Sequence, residues 1–286
     1  MIPVKDPLMS RPHPEFSGTD TKIALFLDFD GTLADIAPSP ESVVVDNRIP
    51  PALAHLREHL AGAVALVSGR PITFLDKQFD PHRFDAAGLH GSQIRLAERV
   101  AEQAQAPDAI RDATRDLVRF ANGNVGIIVE DKRLSVALHW RLAPHLEDEA
   151  RALVRHLAER IGPGVRLQEG KAVAELVPAG ASKGQAIGWL MQHEPFAGRL
   201  PVFIGDDVTD EDGFEVVNAL GGLSIRIGPG DTCAVRRIAS PLVLRQILID
   251  AAARDRLTVG DFLLPVETGT AMAEPLAVPA AGPDRG

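Results

Sequence analysis

Short apolar runs punctuate the chain, and each stops abruptly at polar residues. Ile23–Phe29 gives way to Asp30-Gly31-Thr32, Ala63–Val67 to Ser68-Gly69-Arg70, and Val202–Ile204 to Gly205-Asp206-Asp207. Runs rich in Val, Ile and Leu with almost no polar alternation suit strands buried on both faces, as in a parallel sheet. Helical spacing of apolar positions follows over Pro50–Ala61, Ile72–Phe79 and Lys183–His193. The alternation predicts an α/β core of Rossmann-like type with a parallel sheet. In open α/β sheets the ligand site lies beyond the carboxyl ends of the strands, so these polar strand ends point to one place.

The stretch between Pro107 and Pro178 has a different rhythm. Asp108–Ala121 and His145–Ile161 are amphipathic with helical period, whereas Val125–Asp131, Leu134–Arg141, Val165–Glu169 and Ala172–Val177 read as strands. The order αββαββ predicts an α+β unit built on an antiparallel sheet and inserted into the core as a cap. Along Leu134–Arg141, the apolar set Leu134, Val136, Leu138 and Trp140 alternates with Ser135, Ala137, His139 and Arg141. The first set faces the cap helices and the second faces away.

The expected organisation is a core of residues 21–106 and 179–266, a cap of 107–178, and poorly ordered Pro-rich tails at 1–20 and 267–286. With 286 residues, 45% hydrophobic and 24% charged, the chain has enough apolar material for a sizeable core. A formal charge of −9 disfavours nucleic acid as a partner, and the single Cys233 excludes an intrachain disulfide framework. No apolar run approaches a membrane span, and residues 1–16 lack the apolar stretch of a secretory signal. A cytoplasmic monomer is expected.

The candidate chemistry sits at the strand ends. Asp28 and Asp30 are two apart on an extended strand, so both project to one side while Phe29 points away. Two carboxylates at one strand end repel, and a bound cation relieves that cost. An isolated Asp-x-Asp is also what an Asx turn shows. The Ser68 hydroxyl, the Gly69 N–H and a helix opening at Pro71 can hold a phosphoryl oxygen, although a plain Ser-Gly turn reads the same way. Lys183 follows Ser182, a good N-cap, and opposes the helix macrodipole, so phosphate neutralisation explains it better than helix stability does. Gly205-Asp206-Asp207-Val208-Thr209-Asp210-Glu211-Asp212 is dense in acids, and hard oxygen ligands suit Mg²⁺.

Asp28-Phe29-Asp30-Gly31-Thr32-Leu33 resembles the first signature of the haloacid dehalogenase superfamily, mostly Mg²⁺-dependent phosphatases. Ser68-Gly69-Arg70, Lys183 and the acidic string resemble its remaining motifs. The resemblance implies that Asp28 attacks phosphorus, that Asp30 donates a proton and then activates water, and that Lys183 neutralises phosphate held by Ser68 and Gly69. It further implies metal binding by Asp28, Asp30 and Asp206 with Asp207 supporting, and Asp210 orienting Lys183.

The cap residues resemble one branch, the trehalose-6-phosphate phosphatase family. The likeness lies in Glu130-Asp131-Lys132, Leu134 through Arg141, Gly170-Lys171 with Glu175, and the Asp206–Asp212 string, with Gly88-Leu89-His90-Gly91 before the cap. It implies that Glu130, Lys132 and Glu175 contact the distal glucose, and that Arg70, Arg141 and Lys171 help to hold sugar or phosphate. The cofactor implied is Mg²⁺ and the partner a small sugar phosphate. A sucrose-phosphate or mannosyl-phosphoglycerate phosphatase, or a non-catalytic sugar-phosphate sensor, would share much of this pattern. His90 and Cys233 read as structural residues.

Overall fold

The computed structural model describes residues 21–37, 42–97, 99–101, 108–132 and 134–263. The expected tails at 1–20 and 267–286 lie outside the described residues.

The larger sheet takes its central strand from the first apolar run, β1 (Ile23–Leu27). Residues on its two faces go to different cores. Ile23, Leu25 and Leu27 pack with Leu53 and Leu56 of α1 (Ile49–His59), Leu75 and Phe79 of α2 (Ile72–Phe79), and Leu244 and Leu248 of α7 (Pro241–Ala253). Ala24 and Phe26 pack instead with Ile187 and Leu190 of α5 (Lys183–Leu190), and Phe214 and Val217 of α6 (Glu211–Ala219). Helices on both faces explain why the strand shows no polar alternation.

β2 (Val64–Val67), β3 (Asp85–Gly88), β4 (Gln93–Leu96) and β5 (Arg99–Ala101) extend the sheet on one side of β1, and β10 (Leu200–Gly205), β11 (Leu223–Ile227) and β12 (Arg236–Ile238) on the other. The sheet is parallel from β12 through β3, as predicted, but β4 and β5 join antiparallel. The reversal is made within Leu89–Gly91, where three successive residues adopt positive φ (49°, 54° and 97°).

The inserted region forms a separate antiparallel sheet in the order β6 (Ile128–Asp131), β7 (Val136–His139), β9 (Val173–Pro178), β8 (Val165–Gly170). α3 (Asp108–Asn122) and α4 (Glu147–Ile161) cover one face, where Val136, Leu138, Trp140 and Leu176 meet Leu117, Val154 and Leu157. The predicted αββαββ order and alternation thus appear, with shorter strands: Val125 lies before β6 and is 97% exposed. On the opposite face, the register aligns Glu130, Ala137, Glu175 and Gln168 in one row across all four strands. That row looks toward the carboxyl ends of β1, β2 and β10.

Among the described residues, no helix is long and apolar enough to cross a membrane.

Candidate active site

Asp28 follows β1 directly and is 4% exposed. Its N–H donates to the Ile204 carbonyl at 2.9 Å, which ties it to the end of β10. The chain then turns at Gly31, where φ is +78° and a Cβ would lie 2.2 Å from Asp206 Oδ2. Only glycine permits that approach of the two strand ends. Asp206 follows β10 and Lys183 begins α5, whose N-cap Ser182 accepts from the Gln185 N–H at 3.1 Å.

Lys183 Nζ donates to Asp28 Oδ1 and to Asp210 Oδ1, both at 2.6 Å. Asp210 Oδ2 accepts the N–H groups of Asp206 and Asp207 at 3.0 and 2.9 Å. The predicted orienting role of Asp210 matches this geometry. Burial raises the Asp28 carboxyl well above the usual range, with Lys183 opposing and Asp210 and Asp206 adding to the rise. Burial, then Asp210, pushes Asp206 up to about 6. Burial alone would lower Lys183, but the charges of Asp210 and Asp28 outweigh it and its ammonium is held charged.

Oxygens of Asp28, Asp206 and Asp210 lie within 4.8 Å of one another, and Asp206 Oδ1 is buried with no hydrogen-bond partner. Buried Lys183 and the more exposed Lys171, against three buried carboxylates, leave excess negative charge, which a hard divalent cation would relieve. The residues therefore fit Mg²⁺. The side chains of Asp30 and Asp207, the other implied ligands, have partners of their own. Both Asp30 oxygens are clamped by Arg70, Nε to Oδ2 at 2.7 Å and Nη2 to Oδ1 at 2.8 Å. The Asp207 side chain caps the short helical turn Val208–Asp210. Neither joins the acidic cluster, whereas Asp210 does.

Ser68 ends β2, with its Oγ accepting the Arg70 N–H at 3.1 Å. Pro71 is the N-cap of α2 and not its first helical residue, and the Ile72 N–H is committed to Gln93 Oε1 at 3.1 Å. The α2 terminus thus offers less to an anion than the sequence suggested. Arg70 also lies 4.6 Å over the Phe74 ring and 3.9 Å from Glu130.

Across the gap stands the polar face of the four-stranded sheet. Lys132 Nζ donates to Glu175 Oε2 at 2.7 Å and to the Gly69 carbonyl at 3.0 Å, and Ser135 Oγ donates to Glu175 Oε1 at 2.5 Å. Burial would raise Glu175, but the charge of Lys132 and the contact with His90 hold it below the usual carboxylate range. Glu130 pairs with His139 at 3.1 Å, and against burial His139, Lys132 and Arg70 hold it low too. Arg141 reaches the carbonyls of Ala37 and Lys171, and Lys171 Nζ lies 3.2 Å from Asp206 Oδ2.

A cavity of ≈ 190 Å³ lies between the two faces. All the predicted site residues line it: Asp28, Asp30, Ser68, Gly69, Arg70, Glu130, Lys132, Arg141, Lys171, Glu175, Lys183, Asp206 and Asp207. His90 and Gln168 line it as well, and the sequence reading assigned neither a site role. Gln168 could have been found from strand register, since it stands in the row of Glu130 and Glu175.

Residues 26–242 match the family model for trehalose-phosphatase. The chain is 44% identical over 232 residues to the trehalose-6-phosphate phosphatase of Escherichia coli (strain K12), covering 81% of this chain and 87% of that one. Among solved structures it resembles a trehalose-6-phosphate phosphatase related protein, with 25% identity, a TM-score of 0.69 and coverage of 81% and 97%. A sugar phosphatase of HAD subclass IIB shares the fold at 17% identity and a TM-score of 0.53, covering 77% of this chain and 94% of that one.

Proposed function

The chain belongs to the trehalose-phosphatase family, and from that premise we propose that it hydrolyses trehalose 6-phosphate to trehalose and phosphate through an aspartyl-phosphate on Asp28. The observation that carries this reading is the pairing of faces. A buried Asp28–Lys183–Asp206–Asp210 cluster confronts, across one cavity, a sheet face bearing Glu130, Lys132 and Glu175. The first suits a phosphoryl group and the second a polyhydroxyl ring, since carboxylates accept and lysine donates hydrogen bonds. In this reading residues 107–178 are the cap, and residues 21–106 and 179–266 the catalytic core.

An Asp28 oxygen attacks phosphorus in line with the departing sugar oxygen. The P–O bond to the sugar breaks as Asp30 delivers a proton to that oxygen, and the new bond joins phosphorus to Asp28. Asp30, now ionised, takes a proton from water. The hydroxide attacks phosphorus, and Asp28 leaves as the free carboxylate. Lys183 compensates charge on the nucleophile before transfer and on the phosphoryl oxygens during it. The Arg70 clamp on both oxygens suits the ionised Asp30 that serves as base in the second half-reaction; to carry the proton for the first, Asp30 frees one oxygen from Arg70. Asp28 and Asp206 would hold Mg²⁺, with Asp210 already committed to Lys183 and to backbone N–H groups. Bound there, the ion supplies positive charge that screens a carboxylate nucleophile from a phosphate dianion.

Phosphate release is the test, measured with and without Mg²⁺ on trehalose 6-phosphate, sucrose 6-phosphate and mannosyl-3-phosphoglycerate. Mg²⁺-dependent release selective for the first is expected. Faster turnover of another substrate reassigns the cap, and no turnover of any supports a sensor.

A further inference from the structure

His90 is the middle residue of the left-handed turn Leu89-His90-Gly91. Such backbone is unfavourable for non-glycine residues, persists only where the surroundings impose it, and concentrates at functional sites. Here the surroundings do impose it. The Leu89 N–H donates to the Arg70 carbonyl at 3.1 Å and the His90 N–H to the Ser68 carbonyl at 3.0 Å. A Cβ on Gly69 would lie 2.5 Å from His90 Cε1 and Nε2, and one on Gly91 would lie 2.5 Å from the Ser182 carbonyl. The ring thus packs against the Ser68–Arg70 loop, and the turn that carries it packs against the start of α5.

The ring's polar contacts lie on the other side of the cavity. Gln168 Oε1 accepts from Arg166 Nη2 at 2.9 Å, which fixes the amide so that its nitrogen faces His90, 2.7 Å from Nδ1. The same amide nitrogen lies 3.1 Å from Nε2, but the ionised Glu175 carboxylate beside Nε2 can only accept, so Nε2 carries the ring proton and the nearer Nδ1 accepts from Gln168. Nε2 is 3.4 Å from Glu175 Oε2. The remaining partners of Glu175, Lys132 and Ser135, both lie on its own side of the cavity. Burial, against Glu175 and aided by Lys132 and Lys183, keeps the ring neutral.

We propose that His90 is a positioning residue for substrate recognition: through Nε2–H it fixes the orientation of the Glu175 carboxylate and registers the sugar-reading sheet face against the phosphate loop at Ser68–Arg70. The proposal rests on the reading of Glu175 as a sugar contact. It adds to the Lys132–Gly69 contact a second tie between the sheet face and the phosphate loop, carried by a strained turn of the core.

The experiment compares kcat/KM on trehalose 6-phosphate with kcat/KM on 4-nitrophenyl phosphate, which has no distal sugar. Asn tolerates left-handed backbone but is too short to reach Glu175, so His90→Asn keeps the turn and loses the contact. Its ratio of the two values is expected to fall about tenfold, through KM, the scale of one hydrogen bond to a charged group. His90→Gln, which places an amide N–H near the Nε2 position, is expected to recover most of the ratio. In the Glu175→Ala background, His90→Asn is expected to change the ratio less than twofold, because the partner is gone. Equal losses on both substrates, no recovery in His90→Gln, or an undiminished effect without Glu175 each overturn the proposal. A Glu175→Ala variant with an unaltered ratio removes the sugar reading of Glu175 itself, and the role of His90 with it. Melting temperatures of all variants separate loss of fold from loss of alignment.

Discussion

At the residue scale the site is a problem of excess charge. Asp28, Asp206 and Asp210 are buried beside Lys183, with Lys171 reaching Asp206 from the rim, and burial disfavours the charged forms of Asp28 and Asp206. The arrangement costs stability in the free protein and is relieved by a cation, so nucleophile and ion are thermodynamically linked. Asp28→Asn removes the nucleophile and one of the repelling charges while keeping the shape. Activity is expected to fall by about 10³-fold or more, while the melting temperature in EDTA stays level or rises. Mg²⁺ is expected to raise the wild-type melting temperature and to have much less effect on the variant. Substantial residual turnover, or a variant that melts well below wild type, contradicts the assignment. The residues in this cluster were legible because each followed an apolar strand, where a charge has no structural reason to be. Its wiring was not. Nothing in Asp28-x-Asp30 says that Arg70 would clamp Asp30, because that contact spans 40 positions and is set by how β1 and β2 align.

At the scale of elements, β1, β2 and β10 announced themselves through unbroken hydrophobicity, and the polar face of the inserted sheet through alternation. β3 (Asp-Ala-Ala-Gly), the antiparallel β4 and β5, and the arginine-bearing β11 and β12 did not, because short strands with small, polar or charged residues carry little periodic signal. The reversal between β3 and β4 depends on left-handed Leu89 and His90, residues that no turn rule singles out. The start of α5 was legible at Ser182, which accepts from Gln185 N–H at 3.1 Å; Ser240 caps α7 in the same way, accepting from Val243 N–H at 3.4 Å, although the sequence reading placed no helix there. Replacing either by Ala is expected to cost about 1 kcal/mol and lower the melting temperature by about 2–4 °C. The two should differ in activity. α5 places Lys183 between Asp28 and Asp210, so Ser182→Ala is expected to lower kcat several-fold, whereas Ser240→Ala on α7 leaves kcat unchanged. Equal kinetics for the two variants would detach the α5 start from catalysis.

At the scale of the whole molecule, the two faces of the cavity are joined by groups whose charge depends on pH. His90 is held neutral by burial, so its folded pKa lies below that of the unfolded chain. The unfolded state then takes up the proton first, and stability falls as pH drops below about 6.5. Glu175 and Glu130 are held low despite burial, chiefly by Lys132 and His139 respectively, and Asp76 despite burial by Arg95 and then Arg83. Their contribution is fully present above the unfolded carboxyl values, about 4.3 for Glu and 3.9 for Asp, and is lost as pH falls further. Asp28 and Asp206 act in the opposite sense: their folded values are raised, so the folded state takes up their protons first and gains stability as pH falls from about 6 toward 4. The His90 contribution is therefore read as a difference, from urea midpoints of wild type and His90→Asn measured between pH 8 and 3. The advantage of wild type is expected to shrink as pH drops below about 6.5, while both proteins weaken steeply below about pH 4 and Glu175→Gln makes that last fall shallower. A difference that stays constant between pH 6.5 and 5 would mean that the ring is not a buried neutral group.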